Sequence, residues 1–215
     1  MPQSPEKRHA MKVVRQLAKD YADAECALNF RTPYQLLIAT ILSAQCTDER
    51  VNIVTKSLFN EFPNAKRMAA ATQKQIEKHI KSAGFFRAKA KNIKSCSEDL
   101  VNLHGSKVPQ DFDALVKLAG VGRKTANVVM GVAWGIPTGV VVDTHVGRIS
   151  RRLGITSETD PVKAERELIS VIPQAEWIDY SHRMIHHGRA VCNARKPDCE
   201  NCRMKRFCPR IGVTA

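Results

Sequence analysis

The chain has 215 residues, 43% of them hydrophobic, enough to bury a substantial core as one large domain or two small ones. Lysine and arginine number 34 against 21 acidic residues, a formal charge of +13 that points to a polyanionic partner whose counterions are released on binding. The charged N-terminus MPQSPEKRHAMKVVRQ has no apolar signal core and no apolar run reaches membrane-spanning length, so a soluble protein in a reducing intracellular compartment is expected.

In chain order, Met11, Val14, Leu17, Ala18 and Tyr21 recur at helical spacing and predict an amphipathic helix over residues 5–21. Thr32 and Pro33 suit the N-cap and first position of a helix through LLIATILSA, which is apolar on nearly every side and therefore central in the core. Asp48 is expected to cap the next helix, running to Phe62. Thr72 opens another that Gly84 stops, and a further one follows Phe85 and Phe86 to the neighbourhood of Gly105. Asp111 caps a short helix ending at Gly120. Beyond Gly122, KTANVVMGVAW continues as a helix to the turn at Gly135 to Pro137. Helices beginning at Asp143 or Thr144, at Asp160 with Pro161, and near Ala175 complete an all-α pattern without a convincing strand.

The segment DFDALVKLAGVGRKTANVVMGVAWG reads as a helix-hairpin-helix: a short helix, a Gly-Val-Gly turn, and a second helix beginning at Arg123. Gly120 and Gly122 allow positive φ and close backbone approach, which leaves the amides at the second helix's N-terminus, from Arg123 to Thr125, free to bind a phosphate. Lys124 stands in the first turn of that helix, where the dipole and adjacent Arg123 both disfavour a further positive charge. An amine so placed is either one more phosphate contact or a nucleophile.

In GVVVDTHVGR an apolar approach, Val140 to Val142, delivers Asp143 to the start of a helix, followed by Thr144, His145 and Arg148. Asp143 suits an N-cap. A capping carboxylate is also held rigidly and kept ionised, so it can stabilise positive charge on a sugar or help move a proton.

Four cysteines close the chain as Cys192-x6-Cys199-x2-Cys202-x5-Cys208. Their spacing admits a tetrahedral zinc, a four-iron four-sulfur cluster or two disulfides, the last disfavoured in a reducing compartment. From Cys192 onward there are six basic residues against two acidic ones, and Arg203, Lys205 and Arg206 lie between Cys202 and Cys208. A metal pinning both ends of that loop would present the three on a fixed arch to a phosphate backbone.

LAGVGRKTANVV, VVVDTHVGR and the cysteine tail, in that order and spacing and joined by ILSAQCTD at Ile41 to Asp48, resemble the endonuclease III family of base-excision DNA glycosylases over about residues 30–208. The resemblance implies the helix-hairpin-helix glycosylase fold, with two helical domains flanking a DNA-binding cleft. A six-helix domain, 25–134, would end in the hairpin, and residues 1–24 with 135–215 would form a discontinuous iron–sulfur domain. It implies a monomeric, cytoplasmic or nucleoid-associated enzyme that acts on duplex DNA containing damaged pyrimidines or abasic sites. Such an enzyme releases the base and then nicks the strand by β-elimination. Lys124 matches the family's Schiff-base lysine and Asp143 its essential aspartate. The cysteines match the ligands of a structural [4Fe-4S] cluster. Gln45 matches the glutamine that fills the gap left by the flipped nucleotide. Where the family carries a leucine wedge beside an aromatic residue, this chain has Phe85 and Phe86, and Phe85 is assigned the wedge with core burial as its alternative. Cys46 departs from the small apolar residue usual after the glutamine. Other DNA contacts are assigned to Gly120, Gly122, Arg123, Thr125, His145, Arg148, Arg203, Lys205 and Arg206. Adenine glycosylases lack the hairpin lysine, and many thymine or uracil mismatch glycosylases replace it, so Lys124 separates the chain from both. A non-catalytic DNA-binding protein with a zinc-stapled tail is the alternative from a different class.

Overall fold

The computed structural model describes residues 4–213; residues 1–3 and 214–215, the outer ends of the discontinuous domain expected above, lie outside the described residues. These described residues form eleven α-helices and one 3-10 turn with no strand. None of the helices is long and apolar enough to cross a membrane. The chain divides into two compact units, Met1–Cys26 with Pro137–Ala215, and Ala27–Ile136.

The unit Ala27–Ile136 is built around α2 (Pro33–Leu42). Thr32 caps it by accepting from the Gln35 amide, Pro33 takes the first turn, and eight of its ten residues are buried, so the all-round apolar sequence does place it in the core. α3 (Asp48–Glu61) is capped by Thr47 rather than Asp48, because the Thr47 hydroxyl reaches the Arg50 amide at 3.3 Å and Asp48 already lies inside the helix. α4 (Ala65–Ala70) has no counterpart among the expected helices; it is six residues long and capped by Asn64. α5 (Gln73–Ile80) starts from a capping box between Thr72 and Gln75 and ends before Gly84 is reached. α6 (Phe86–Leu103) packs on α4, α5 and α2, and His79 of α5 bridges to Ser57 and Glu61 of α3.

In the same unit α7 (Phe112–Leu115) is capped by Asp111 but stops well short of Gly120, the intervening residues forming turns. α8 (Arg123–Trp134) packs on α2 and terminates at Gly135, whose φ of 68° closes a left-handed cap in which its own amide donates to Gly131 O at 2.8 Å.

The other unit holds α1 (Pro5–Asp20), α9 (Thr144–Arg152), α10 (Pro161–Val171) and α11 (Trp177–Ala190). The buried stripe of α1 is Ala10, Val13, Val14 and Leu17, with Met11 and Tyr21 at its margin, a small rotation from the face expected. Val146, Ile149, Leu168, Tyr180 and Met184 complete the core, and the Tyr180 hydroxyl pairs with Ser150 at 2.9 Å. α9 and α11 meet at Gly188, where a Cβ would stand 2.5 Å from His145 Nδ1 and 2.8 Å from Ile149 Cδ1. A side chain at Gly188 would have to displace His145 or Ile149 of α9, the helix that Asp143 caps.

Candidate active site and nucleic-acid interface

The hairpin turn owes its shape to one of its two glycines. Gly120 has φ +77°, and a Cβ there would lie 2.9 Å from Asn92 Cβ and 3.2 Å from Ile41 Cγ2, so both backbone and space demand glycine. Gly122 differs from expectation: its φ of −92° is open to any residue, and nothing lies within 4 Å of its Cβ position. What it lacks is a side chain on the outward face of the turn. As N-cap of α8 it provides no side-chain acceptor, so the first turn, Arg123 to Thr125, begins without a side-chain cap. Val121 is buried between the glycines and anchors the turn, whereas Gly122, Arg123 and Lys124 are exposed. The Arg123 guanidinium sits 5.2 Å from the centre of the Phe112 ring, which holds it at the hairpin.

Asp143 lies in the other unit. Gly139 to Val142 arrive largely buried, and the Val141 amide donates to Ser181 Oγ at 3.0 Å, so the segment is tied to α11 before α9 begins. Asp143 Oδ1 accepts from the Val146 amide at 2.8 Å, an N-cap that occupies one of its two carboxylate oxygens. His145 is packed over Gly188. Arg148 is turned inward: its guanidinium donates to Cys192 O at 2.9 Å and to Thr144 O at 3.3 Å, which joins α9 to the cysteine segment.

All four tail cysteines line one small cavity, walled by Ile149, Leu153, Val191 and Val213. Among the described residues no three His, Cys, Asp or Glu side chains converge to hold a single ion. The thiols instead surround a space. Arg152 closes one side, with NH1 3.4 Å from Cys192 Sγ and the guanidinium donating to Asn193 O and Ala194 O at 2.7 Å each. His187 Nε2 approaches Cys202 Sγ at 3.9 Å, and its Nδ1 pairs with the Tyr21 hydroxyl at 3.0 Å. Burial pushes the Cys202 and Cys208 thiols up, and the neighbouring cysteines add to the shift. A ring of thiolates is therefore costly until a positive centre offsets it, and four cysteine donors around one cavity with Arg152 at its wall fit a thiolate-bound metal centre.

Between Cys202 and Cys208 the chain folds as successive turns, in which Met204 is buried and Phe207 packs edge-on to His9. Inward anchors at these two positions leave Arg203, Lys205 and Arg206 exposed, as the arch requires. The arch is less cationic than its sequence, however. Arg203 pairs with Asp20 at 3.0 Å and Lys205 donates to Glu200 O at 2.7 Å, beside the Glu200 carboxylate.

Gln45 and Phe85 come together in a way the sequence did not indicate. Both are exposed, Phe85 at 68%, which removes the core-burial alternative. Both adopt left-handed backbone, with φ of 51° and 57°, although neither is glycine. Such conformations cost about 1 kcal/mol or more each and persist where the surroundings impose them. The two turns touch: the Cβ position of Gly84 is 3.7 Å from Gln45 O. Phe86 is half-buried at the start of α6, with Arg87 against its ring.

Residues 38–174 match the HhH-GPD superfamily of base excision DNA repair proteins. The chain is 51% identical over 203 residues to an endonuclease III from Synechocystis sp., covering 94% of this chain and 93% of that protein. It is 44% identical over 189 residues to the endonuclease III of Bacillus subtilis, covering 87% and 86%. A solved structure of a trapped endonuclease III–DNA covalent intermediate, in an estranged-adenine complex, superposes with a TM-score of 0.91 at 42% identity, covering 98% of this chain and 97% of that one.

Proposed function

The chain belongs to the endonuclease III family, within the HhH-GPD superfamily of base excision DNA repair proteins, and we propose that it is a DNA glycosylase and abasic-site lyase acting through Lys124 and Asp143. The observation that carries this assignment is the placement of Lys124: an exposed amine in the first turn of a helix that has no side-chain cap, directly after a glycine turn that a DNA backbone can approach closely.

The first-turn amides of α8 and the bare outward face of Gly122 hold a phosphate of the damaged strand, which sets the sugar against Lys124. With the nucleotide rotated out of the helix, the lysine amine, its proton removed, attacks C1′. The glycosidic bond breaks and its electron pair leaves with the base. The C1′–O4′ bond then opens, O4′ takes a proton and a protonated imine joins C1′ to Nζ. The imine acidifies the 2′ proton. Its removal forms a C2′–C3′ double bond as the 3′ phosphate departs, and water then hydrolyses the imine to free the lysine. The carboxylate of Asp143, anchored through Oδ1, stabilises the cationic sugar and relays the amine's proton.

Gln45 fills the gap left by the rotated nucleotide, where its amide pairs with the orphaned base, and Phe85 wedges the opposite side by stacking. Their joint exposure on paired, strained turns supports these roles. Cys192, Cys199, Cys202 and Cys208 would hold a [4Fe-4S] cluster, which supplies a rigid cross-link for the arch. Arg206, together with Arg203 and Lys205, then meets the DNA backbone. Arg148 supports that contact by tying α9 to Cys192. The substrate is duplex DNA bearing oxidised pyrimidines or abasic sites, and the enzyme acts as a monomer in the reducing, nucleoid-containing interior of the cell. A panel of duplexes each carrying one lesion, scored separately for base release and strand nicking, tests the assignment. Release without nicking on every oxidised pyrimidine would reassign the chain to single-function glycosylases.

A further inference from the structure

Lys89 occupies the first full turn of α6, four residues after Phe85, and its backbone amide donates to Phe85 O at 3.1 Å. The residue is only 5% exposed, and its ammonium is buried without a hydrogen-bond partner among the described residues. Two local effects oppose a cation there: burial disfavours the charged form, and the N-terminal end of a helix is the wrong end for positive charge. A methionine would fill the same space without either cost.

What surrounds this uncompensated charge is the gap-filling apparatus. Cys46, directly after Gln45, is the neighbouring ionisable group that favours the protonated amine, against the lowering caused by burial. α2 packs on α6 and ends at Leu42, so the negative end of its dipole enters the Ser43 to Cys46 turn. That turn carries Gln45 at φ 51°, Phe85 carries φ 57°, and Gly84 brings the two backbones together. Two strained non-glycine residues and one unpaired buried cation thus share a small region whose exposed tips are the side chains assigned to the duplex gap. Strain and unsatisfied polarity concentrated in one place mark function rather than stability.

We propose that Lys89 is a positioning residue for DNA entry: its buried ammonium, without a hydrogen-bond partner of its own, places a positive charge in α6 against the C-terminal end of α2 and so biases the turn between α2 and α3 toward the geometry that projects Gln45 into the duplex. This rests on the assignment of Gln45 to the gap. Lys89 touches neither the reacting sugar nor Lys124's chemistry. It acts through the turn, and its contribution appears when the orphaned base is engaged.

Lys89→Met, Lys89→Gln, Gln45→Ala and the double variant Lys89→Met/Gln45→Ala are compared as cluster-loaded proteins. Single-turnover base release is measured on a duplex with one oxidised pyrimidine and 2-aminopurine as the opposite base, alongside melting temperature and affinity for undamaged duplex. Lys89→Met is expected to melt at or above the wild-type temperature and to bind undamaged duplex normally. Base release should fall about tenfold to a hundredfold, the loss typical of misplaced rather than missing groups. The 2-aminopurine signal should change as it does for Gln45→Ala, and the double variant should be no slower than Gln45→Ala alone. A wild-type rate in Lys89→Met, or losses that multiply in the double variant, overturns the proposal while leaving Gln45 in the gap. A wild-type rate in Gln45→Ala overturns the gap assignment itself and Lys89's role with it. Should Lys89→Met fail to fold, Lys89→Gln carries the same comparison.

Discussion

Asp143 does two separable things, and substitution can divide them. Its Oδ1 caps α9 through the Val146 amide at 2.8 Å, while its negative charge serves the cationic sugar. An asparagine side chain keeps an acceptor oxygen at the same place and caps as well as aspartate, so Asp143→Asn should alter stability by no more than roughly a few tenths of a kcal/mol. Alanine removes the acceptor, and Asp143→Ala should cost about 1 kcal/mol, which in a protein of this size lowers the melting temperature by roughly 2–4 °C. Turnover follows charge instead of capping. Both variants should lose about a hundredfold or more in single-turnover base release, since each removes the preorganised anion. Affinity for undamaged duplex should hold or rise, because a negative charge has left a phosphate-binding surface. Calorimetry, single-turnover kinetics and duplex titration on the three proteins supply the comparison. If Asp143→Asn melts like Asp143→Ala, or loses duplex affinity in proportion to rate, the residue is structural and the catalytic assignment fails.

The two hairpin glycines should also separate. Gly120→Ala meets Asn92 and Ile41 at a positive φ and should cost about 1–3 kcal/mol of stability, read by chemical denaturation. Gly122→Ala has open space and an ordinary φ, so stability should hold while duplex affinity falls; a Gly122→Ala protein that binds normally would remove the turn from the interface. On the arch, Arg206→Glu should weaken duplex binding more than Lys205→Glu, because Lys205 is already partly neutralised beside Glu200, and each should reduce the salt slope by about 1 or more. An unchanged slope rejects the arch as a contact. Purified protein should be yellow-brown and contain iron, and Cys199→Ser should lose both colour and duplex affinity; a colourless protein with one zinc per chain would replace the cluster with the zinc-stapled alternative.

Local chemistry made much of the fold legible. Thr32 with Pro33, Thr72, Asp111, Asp143 and Asp160 all cap where their side chains promise to, because a cap depends on residues three positions away. α4 is hard to read because AKRMAA is too short to show a stripe, although Asn64 ahead of it is a usable signal. The hairpin is readable as a motif, but the constraint on Gly120 comes from Asn92 and Ile41, which no spacing along the chain brings near. Nothing along the sequence marks Lys89 as buried, and it is the packing of α6 that buries it; Arg148 reads as a DNA contact and is turned toward Cys192. The left-handed backbones of Gln45 and Phe85 are hidden for the same reason, since tertiary contacts rather than residue type impose them.

Covalent capture tests the central claim most directly. Borohydride reduction of the enzyme on a duplex carrying an oxidised pyrimidine should join protein to DNA through an amine that peptide mapping places at Lys124. Lys124→Ala should give no adduct while retaining its fold and its grip on undamaged duplex. An adduct that persists in Lys124→Ala, or one mapped to another lysine or to the N-terminus, would contradict the account.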